Sequence, residues 1–287
     1  MIISQTPYRI SFAGGGTDLP AFYREEAGAV LSTAIDRHMY VTVGTRFDSS
    51  IRVAYSTTEV VETASQLKHT LVREALAITD LDRALEITTI GDVPAGTGLG
   101  SPSSLAVGLL TALHAYKGRS ESPETLASQA CEIEIERLGS PIGKQDQYAA
   151  AYGGLQYIRF NPDETVHVEP VPGSAAMLES LADHLLLFYT GGSRDANKIL
   201  AEQSRTTASK LDVLRRMRDI AGELRDVLCS GPEPRFDVFG DKLHEAWELK
   251  RSLTSSISTG TVDDWYARGR RAGEHQPARA PARLPGR

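Results

Sequence analysis

Cysteine is nearly missing from this chain of 287 residues: Cys131 and Cys229 are the only two, far apart and both in helical-looking stretches. A disulfide framework and a thiolate metal cluster are thereby excluded, and the expectation is two buried, reduced thiols. An excess of positive charge is missing too. With 31 Lys and Arg against 37 Asp and Glu, the formal net charge is −6, which argues against a general binder of nucleic acid or of anionic membranes. No apolar run approaches the ~20 residues that span a bilayer. The start, "MIISQTPYRI", carries no basic stretch ahead of an apolar core, so no signal peptide is read and the chain is expected in the cytoplasm. Internal repeats, a regular βαβ succession and a serine–histidine nucleophile arrangement are absent as well.

Glycine is what the sequence does have, gathered in two loops. "YRISFA" reads as a strand that enters the first, "GGGTD" at 14–18. "GAVLSTAIDRHMYVTVGTRF" is rich in β-branched and aromatic residues and reads as a strand pair. "TASQLKHTLVREALAIT" has helical apolar spacing, "ALEITTIGDVP" returns to strand, and "ETLASQACEIEIERLG" is a helix closed by Gly139. "GGLQYIRF" and "HLLLFYTGG" read as strands, and 195–266 is mostly helical with a break at "CSGPEPRFDV". Strands and helices interleave irregularly, and the fold class is α+β.

The second loop, "GDVPAGTGLGSPSSLAVGLL" at 91–110, opens onto an apolar helix. Gly96, Gly98 and Gly100 let backbone amides turn inward, and Ser101 stands at a helix start whose free N–H groups favour an anion. Such a loop can wrap the phosphates of a nucleotide. It is not a Walker A loop, because no Gly-Lys-Ser/Thr follows, and GxGxxG fails because Ser103 stands where the last glycine is required after Gly98 and Gly100. A plain glycine-rich turn with a serine cap fits this stretch equally well.

Three stretches together resemble a known family. P-x-x-x-G-L-G-S-x-S in the second loop, "PYRISFAGGGTDL" at 7–19 and "GSPIGKQDQYAAAYGG" at 139–154 resemble, in order, three motifs of the galactokinase, homoserine, mevalonate and phosphomevalonate (GHMP) kinase superfamily. Within it, "RISFAGGGTDLPAFY", "LSTAID" and "GKQDQYAAAYGG" look most like the D-glycero-D-manno-heptose 7-phosphate kinases, with fucose kinase domains as the nearest rival. The resemblance implies a two-domain fold. A ribosomal-protein-S5-like N-terminal domain would span 1–175 and an incomplete ferredoxin-like α/β domain 176–273, followed by an aberrant tail at 274–287. It implies ATP and Mg²⁺ as cofactors and a small sugar phosphate as partner, and leaves a homodimer open.

The resemblance also implies roles. Asp146 would be the general base for the sugar's anomeric hydroxyl, and Arg9 would hold that carboxylate and offset phosphoryl charge. Pro94, Gly96, Thr97, Gly98, Leu99, Gly100, Ser101, Ser103 and Ser104 would form the ATP loop. Ser101 and Glu136 would bind the metal, with Glu134 as the alternative carboxylate. Gly15, Gly16, Thr17 and Asp18 would contact the sugar, joined by Lys144 beside the base and by Thr190 and Arg194 in "YTGGSRDANKIL". For each residue a bland alternative stands beside this role: a solvated aspartate, a surface-paired arginine, a solvated glutamate face, an exposed lysine. Lys250 and Arg251 read rather as a plain basic helix face.

Two departures from the family stand out. Pro102 occupies a position where related sequences carry a second serine, which removes a hydroxyl and an amide donor from the cradle while suiting a helix's first turn. At the other end, "EHQPARAPARLPGR" stands where the family has a third glycine-rich motif. A shifted reading frame near Gly273 is one expectation and a natural disordered tail the other, and weak or no activity is expected of this chain. A non-catalytic sugar-phosphate- or ATP-binding relative is the rival functional reading.

Overall fold

The structure, a computed structural model, describes residues 1–272 except 174, 192–199, 201, 206, 232–233 and 255–256. Contacts divide the chain into two units, Met1–Arg9 with Ala34–Gly153 and Ile10–Thr33 with Gly154–Arg287. Two long strands, β1 (Ile2–Ala13) and β2 (Gly28–Thr45), pair with one another and contribute residues to both.

In the first unit, β2 pairs antiparallel with β5 (Leu85–Gly91), from Met39 opposite Gly91 to Thr45 opposite Leu85. β5 runs parallel to β3 (Ile51–Ala54), which forms a hairpin with β4 (Thr58–Val61). Four helices complete the unit: α2 (Thr70–Thr79), α3 (Ser101–Tyr116), α4 (Pro123–Cys131) and α5 (Gln145–Tyr152). Val41, Val43, Ile51, Val53 and Ile87 of the strands pack with Leu109, Leu110 and Leu113 of α3 in one core. Each such side chain contributes roughly 1.5–3 kcal/mol by leaving water. Apolar residues surround α3 almost entirely, the pattern of a central helix. Ser4 Oγ donates to the Gly108 carbonyl at 2.7 Å. A Cβ on Gly108 would lie 3.0 Å from Thr6 Oγ1, so a glycine here lets the helix press close onto β1.

In the second unit, Gly28–Thr33 of β2 pairs antiparallel with β6 (Leu155–Phe160), which pairs with β7 (Val166–Pro170). The described helices are α1 (Pro20–Tyr23), α6 (Ala175–Asp183), α7 (Leu211–Cys229), α8 (Phe236–Arg251) and α9 (Gly260–Arg271). Buried Leu214, Met217, Ile220, Ala221, Leu224 and Leu228 recur at three- and four-residue steps along α7. Ile220 and Leu224 pack with Phe12, Leu31, Leu155 and Phe239.

The α+β class holds, with seven strands and irregularly interleaved helices among the described residues. Three local expectations change. Residues 28–45 form one 18-residue strand, not a strand pair, because residues 34–38 carry no glycine or proline to reverse the chain, which changes partner without turning back. Residues 185–190 of "HLLLFYTGG" form no strand, and Leu186, Phe188 and Tyr189 are about half exposed. Apolar composition gives strand propensity, but a strand also needs a partner for its N–H and C=O groups. Cys131 is buried as expected, whereas Cys229, the last residue of α7, is exposed.

Candidate active site

The glycine loop at 94–100 is built on alternation. Gly96, Gly98 and Gly100 have φ of +77°, +79° and +79°, a left-handed conformation that costs other residues about 1–2 kcal/mol each. Pro94 and the backbone to Gly98 are largely exposed, and Thr97 Oγ1 donates back to the Pro94 carbonyl at 3.2 Å. Leu99 and Gly100 are buried, and Gly100 caps the N-terminus of α3.

Two residues of β1, Pro7 and Arg9, hold this loop and the first turn of α3 from behind. The Pro7 carbonyl accepts from Ser104 Oγ at 2.9 Å. The Arg9 amide donates to the Leu99 carbonyl at 3.1 Å, and Arg9 Nη1 donates to the Gly98 carbonyl at 2.7 Å. Arg9 also grips Asp146 with two parallel bonds, Nε to Oδ1 at 2.8 Å and Nη2 to Oδ2 at 2.7 Å. The two side chains keep 12% and 24% of their exposure, so the pair is shielded yet reachable. A Cβ on Gly100 would meet Arg9 Cγ at 3.4 Å and Asp146 Oδ2 at 3.6 Å. The guanidinium therefore bridges the loop and the carboxylate. Asp146 lies in the first turn of α5, where the helix dipole favours its negative charge.

Just behind Asp146, a π-helical segment at Glu132–Arg137 follows α4 directly. Its wider turn, with the Leu138 amide bonded to the Ile133 carbonyl at 3.0 Å, leaves Glu134 buried and Glu136 exposed. Such insertions recur at functional sites because they re-aim side chains. Glu134 keeps 3% of its exposure, and its Oε1 accepts from Gln147 Nε2 at 2.8 Å. Burial pushes its carboxyl up to about 7; the Ser103 hydroxyl and the Gln147 amide oppose that rise, and the Asp146 charge adds to it. Ser101 keeps 8% of its exposure, and its hydroxyl has no hydrogen-bond partner among the described residues.

An unsatisfied buried hydroxyl and a buried carboxylate are hard oxygen donors of the kind Mg²⁺ takes, one or two from protein and the rest from phosphate and water. The donor types of Ser101 and Glu134 suit that ion, and Glu136, the carboxylate preferred from the sequence, is exposed. Among the described residues no group of three metal-ligating side chains occurs. Lys144 caps α5 and is half-buried one residue from Gln145. Ser104, by contrast, spends its hydroxyl on Pro7.

The first glycine loop lies in the second unit and is tightly self-bonded. Gly14 and Gly16 have φ of +90° and +107°, and a Cβ on Gly14 would lie 1.9 Å from the Ala29 carbonyl oxygen. Thr17 Oγ1 donates to the Gly14 carbonyl at 2.8 Å and accepts from the Ala29 amide at 3.0 Å. Asp18, 2% exposed, accepts from the Gly16 amide at 2.8 Å. Gly15 is buried between them. Thr190 is half-buried in irregular chain, and Arg194 and Ser193 lie outside the described residues. Arg251 pairs with Glu248 at 3.0 Å and Asp263 at 3.3 Å, which suits the plain helix face expected of it.

Sequence reasoning passed over Gln147 and Tyr8. Both are fully buried polar side chains flanking a proposed catalytic residue, and adjacency to Asp146 and Arg9 was the available signal.

Residues 56–154 match the family model described as the GHMP kinases N terminal domain. The D-glycero-alpha-D-manno-heptose 7-phosphate kinase of Campylobacter jejuni subsp. jejuni serotype O:2 is 26% identical, over 92% of this chain and 81% of that one. The mevalonate kinase of Methanothermobacter thermautotrophicus is 30% identical, over 80% of this chain and 72% of that one. Among solved structures, a D-glycero-D-manno-heptose 1-phosphate kinase from Bacteriodes thetaiotaomicron superposes with a TM-score of 0.76 at 26% identity, covering 91% of this chain and 82% of that one.

Proposed function

The chain belongs to the GHMP kinase family, and from that premise we propose that it transfers the γ-phosphoryl group of ATP to the anomeric hydroxyl of a sugar, with D-glycero-D-manno-heptose 7-phosphate as the acceptor. The observation that carries this reading is the two-pronged Arg9–Asp146 pair seated against Gly98 and Gly100. A carboxylate, a permanent cation and a left-handed glycine loop meet there. Phosphoryl transfer asks for little more than such positioning and charge neutralisation.

In this reading the backbone amides of 96–101 and the N-terminus of α3 receive the phosphates. Asp146 takes the proton of the acceptor hydroxyl as its oxygen bonds to the γ-phosphorus, and the bond from that phosphorus to the ADP oxygen breaks. Arg9 fixes the carboxylate's orientation and remains charged throughout, while its Nη1 ties the pair to the loop. Ser101 and Glu134 would hold Mg²⁺, which supplies charge neutralisation at the phosphates. Asp18, with the Gly15–Thr17 backbone, Thr190 and Arg194, would contact the acceptor, and Lys144 would contact its phosphate. The nucleotide loop and base fall in a proposed N-terminal domain at 1–175.

A coupled ADP-release assay with heptose 7-phosphate, fucose, galactose and mannose tests the reading. Turnover with the heptose phosphate, however slow, and a fall in kcat of about 10²–10⁴-fold in Asp146→Asn are expected. ATP turnover that survives in Asp146→Asn, or a preference for an unphosphorylated sugar, would overturn the assignment.

A further inference from the structure

Pro7 and Arg9 each hold the glycine loop by hydrogen bonds, and Tyr8 lies between them. Its ring is fully buried, 0% exposed. Its phenol reaches past Gly91, where a Cβ would lie 2.5 Å from the hydroxyl oxygen, so the strand is kept bare of a side chain at the point where the hydroxyl passes. The neighbouring hydroxyl is that of Ser101, at the first position of α3. Neither hydroxyl forms a hydrogen bond with any described residue, and both are shielded from solvent.

A stranded buried hydroxyl is unfavourable, and a phenylalanine would fill the same volume without one. A phenol is un-ionised at neutral pH and has one O–H to donate. Pro102, the next residue, has no N–H and no hydroxyl to offer Ser101.

We propose that Tyr8 is a positioning residue for Ser101, its O–H donating to Ser101 Oγ when nucleotide fills the loop. One lone pair of Ser101 is then taken, and its own O–H and second lone pair are turned to the nucleotide side. With Pro7 gripping Ser104 and Arg9 gripping Gly98 and Leu99, the three residues of "PYR" set the back of the phosphate cradle at three successive points. The inference rests on the reading of Ser101 as a nucleotide contact.

The test combines Tyr8→Phe, Ser101→Ala and the double variant. MgATP affinity is measured by calorimetry, ATP and acceptor KM by ADP release, and folding by melting temperature. Tyr8→Phe is expected to weaken MgATP binding roughly three- to tenfold, the value of one hydrogen bond, with acceptor KM and melting temperature unchanged. The double variant should bind no worse than Ser101→Ala alone, because the phenol acts only through that serine.

Gly91→Ala, which displaces the hydroxyl but keeps the ring, should reproduce Tyr8→Phe if the latter folds poorly. MgATP binding by Tyr8→Phe at the parental level, or losses that multiply in the double variant, would overturn the inference alone. So would a uniform loss of stability and of both KM values. Parental binding by Ser101→Ala, or no MgATP binding by the parent chain, would overturn the underlying reading and the inference with it.

Discussion

Glu134→Gln is the substitution whose consequence the structure fixes most closely. The side chain is 3% exposed, and its carboxyl is raised from an ordinary 4.5 to about 7, chiefly by burial. Glutamine keeps the shape and an oxygen to accept from Gln147, and removes the titration. Below pH 4.5 the carboxyl is protonated folded and unfolded, so the folded state carries no charging penalty there. Between pH 4.5 and 7 the unfolded chain ionises while the folded one keeps its proton. Folded stability contributed by this group is therefore lost as pH rises through that window. At 1.36 kcal/mol per pKa unit the loss is about 3 kcal/mol.

Urea unfolding of parent and variant from pH 4.5 to 8, with chelator present, reads this directly. All other titrations are shared, so the stability of the variant minus that of the parent should grow by about 3 kcal/mol from pH 4.5 to 8. Repeating the series with Mg²⁺ at pH 8 should stabilise the parent and leave the variant unmoved. A stability difference that stays flat with pH would refute the reasoning, since the carboxyl would then be ionised in its buried place.

Arg9→Lys should lower kcat/KM by roughly 10- to 100-fold, because a point charge cannot reproduce the parallel bonds to Asp146 together with the bond to Gly98; activity near the parental level in the ADP-release assay would count against the geometry. A thiol reagent should label Cys229 in the native chain and reach Cys131 only after unfolding. Two equally fast thiols would contradict the burial of Cys131.

Much of the site was legible because its chemistry sits in contiguous motifs. Arg9, Asp146 and the glycines at 96, 98 and 100 could be named from residue type and order, and the structure brings Arg9 onto Asp146, Gly98 and Gly100. Glu136 was preferred over Glu134 because the family resemblance puts a metal-binding glutamate about ten residues before the aspartate, a count that does not say which side chain is buried. The π-helical turns between Glu132 and Arg137 change which glutamate faces inward, and nothing in "EIEIER" announces them. The long β2 was misread for a related reason. Propensity reports whether a segment can be extended, not how many partners it takes along its length. Residues 185–190 failed the opposite way, with strand composition and no strand. Tyr8 escaped notice because a tyrosine in a strand looks like core, and only its stranded hydroxyl says otherwise.

The Arg9–Asp146 pair joins residues 137 positions apart in the chain. During synthesis at about 5–20 residues per second, Arg9 waits roughly 7–27 s before its partner is made. Gly98 and Leu99 come earlier, so the arginine can settle on the loop carbonyls first and receive the carboxylate last. The Arg9–loop contacts can thus form before the carboxylate exists, and the Arg9–Asp146 pair closes only when α5 has left the ribosome.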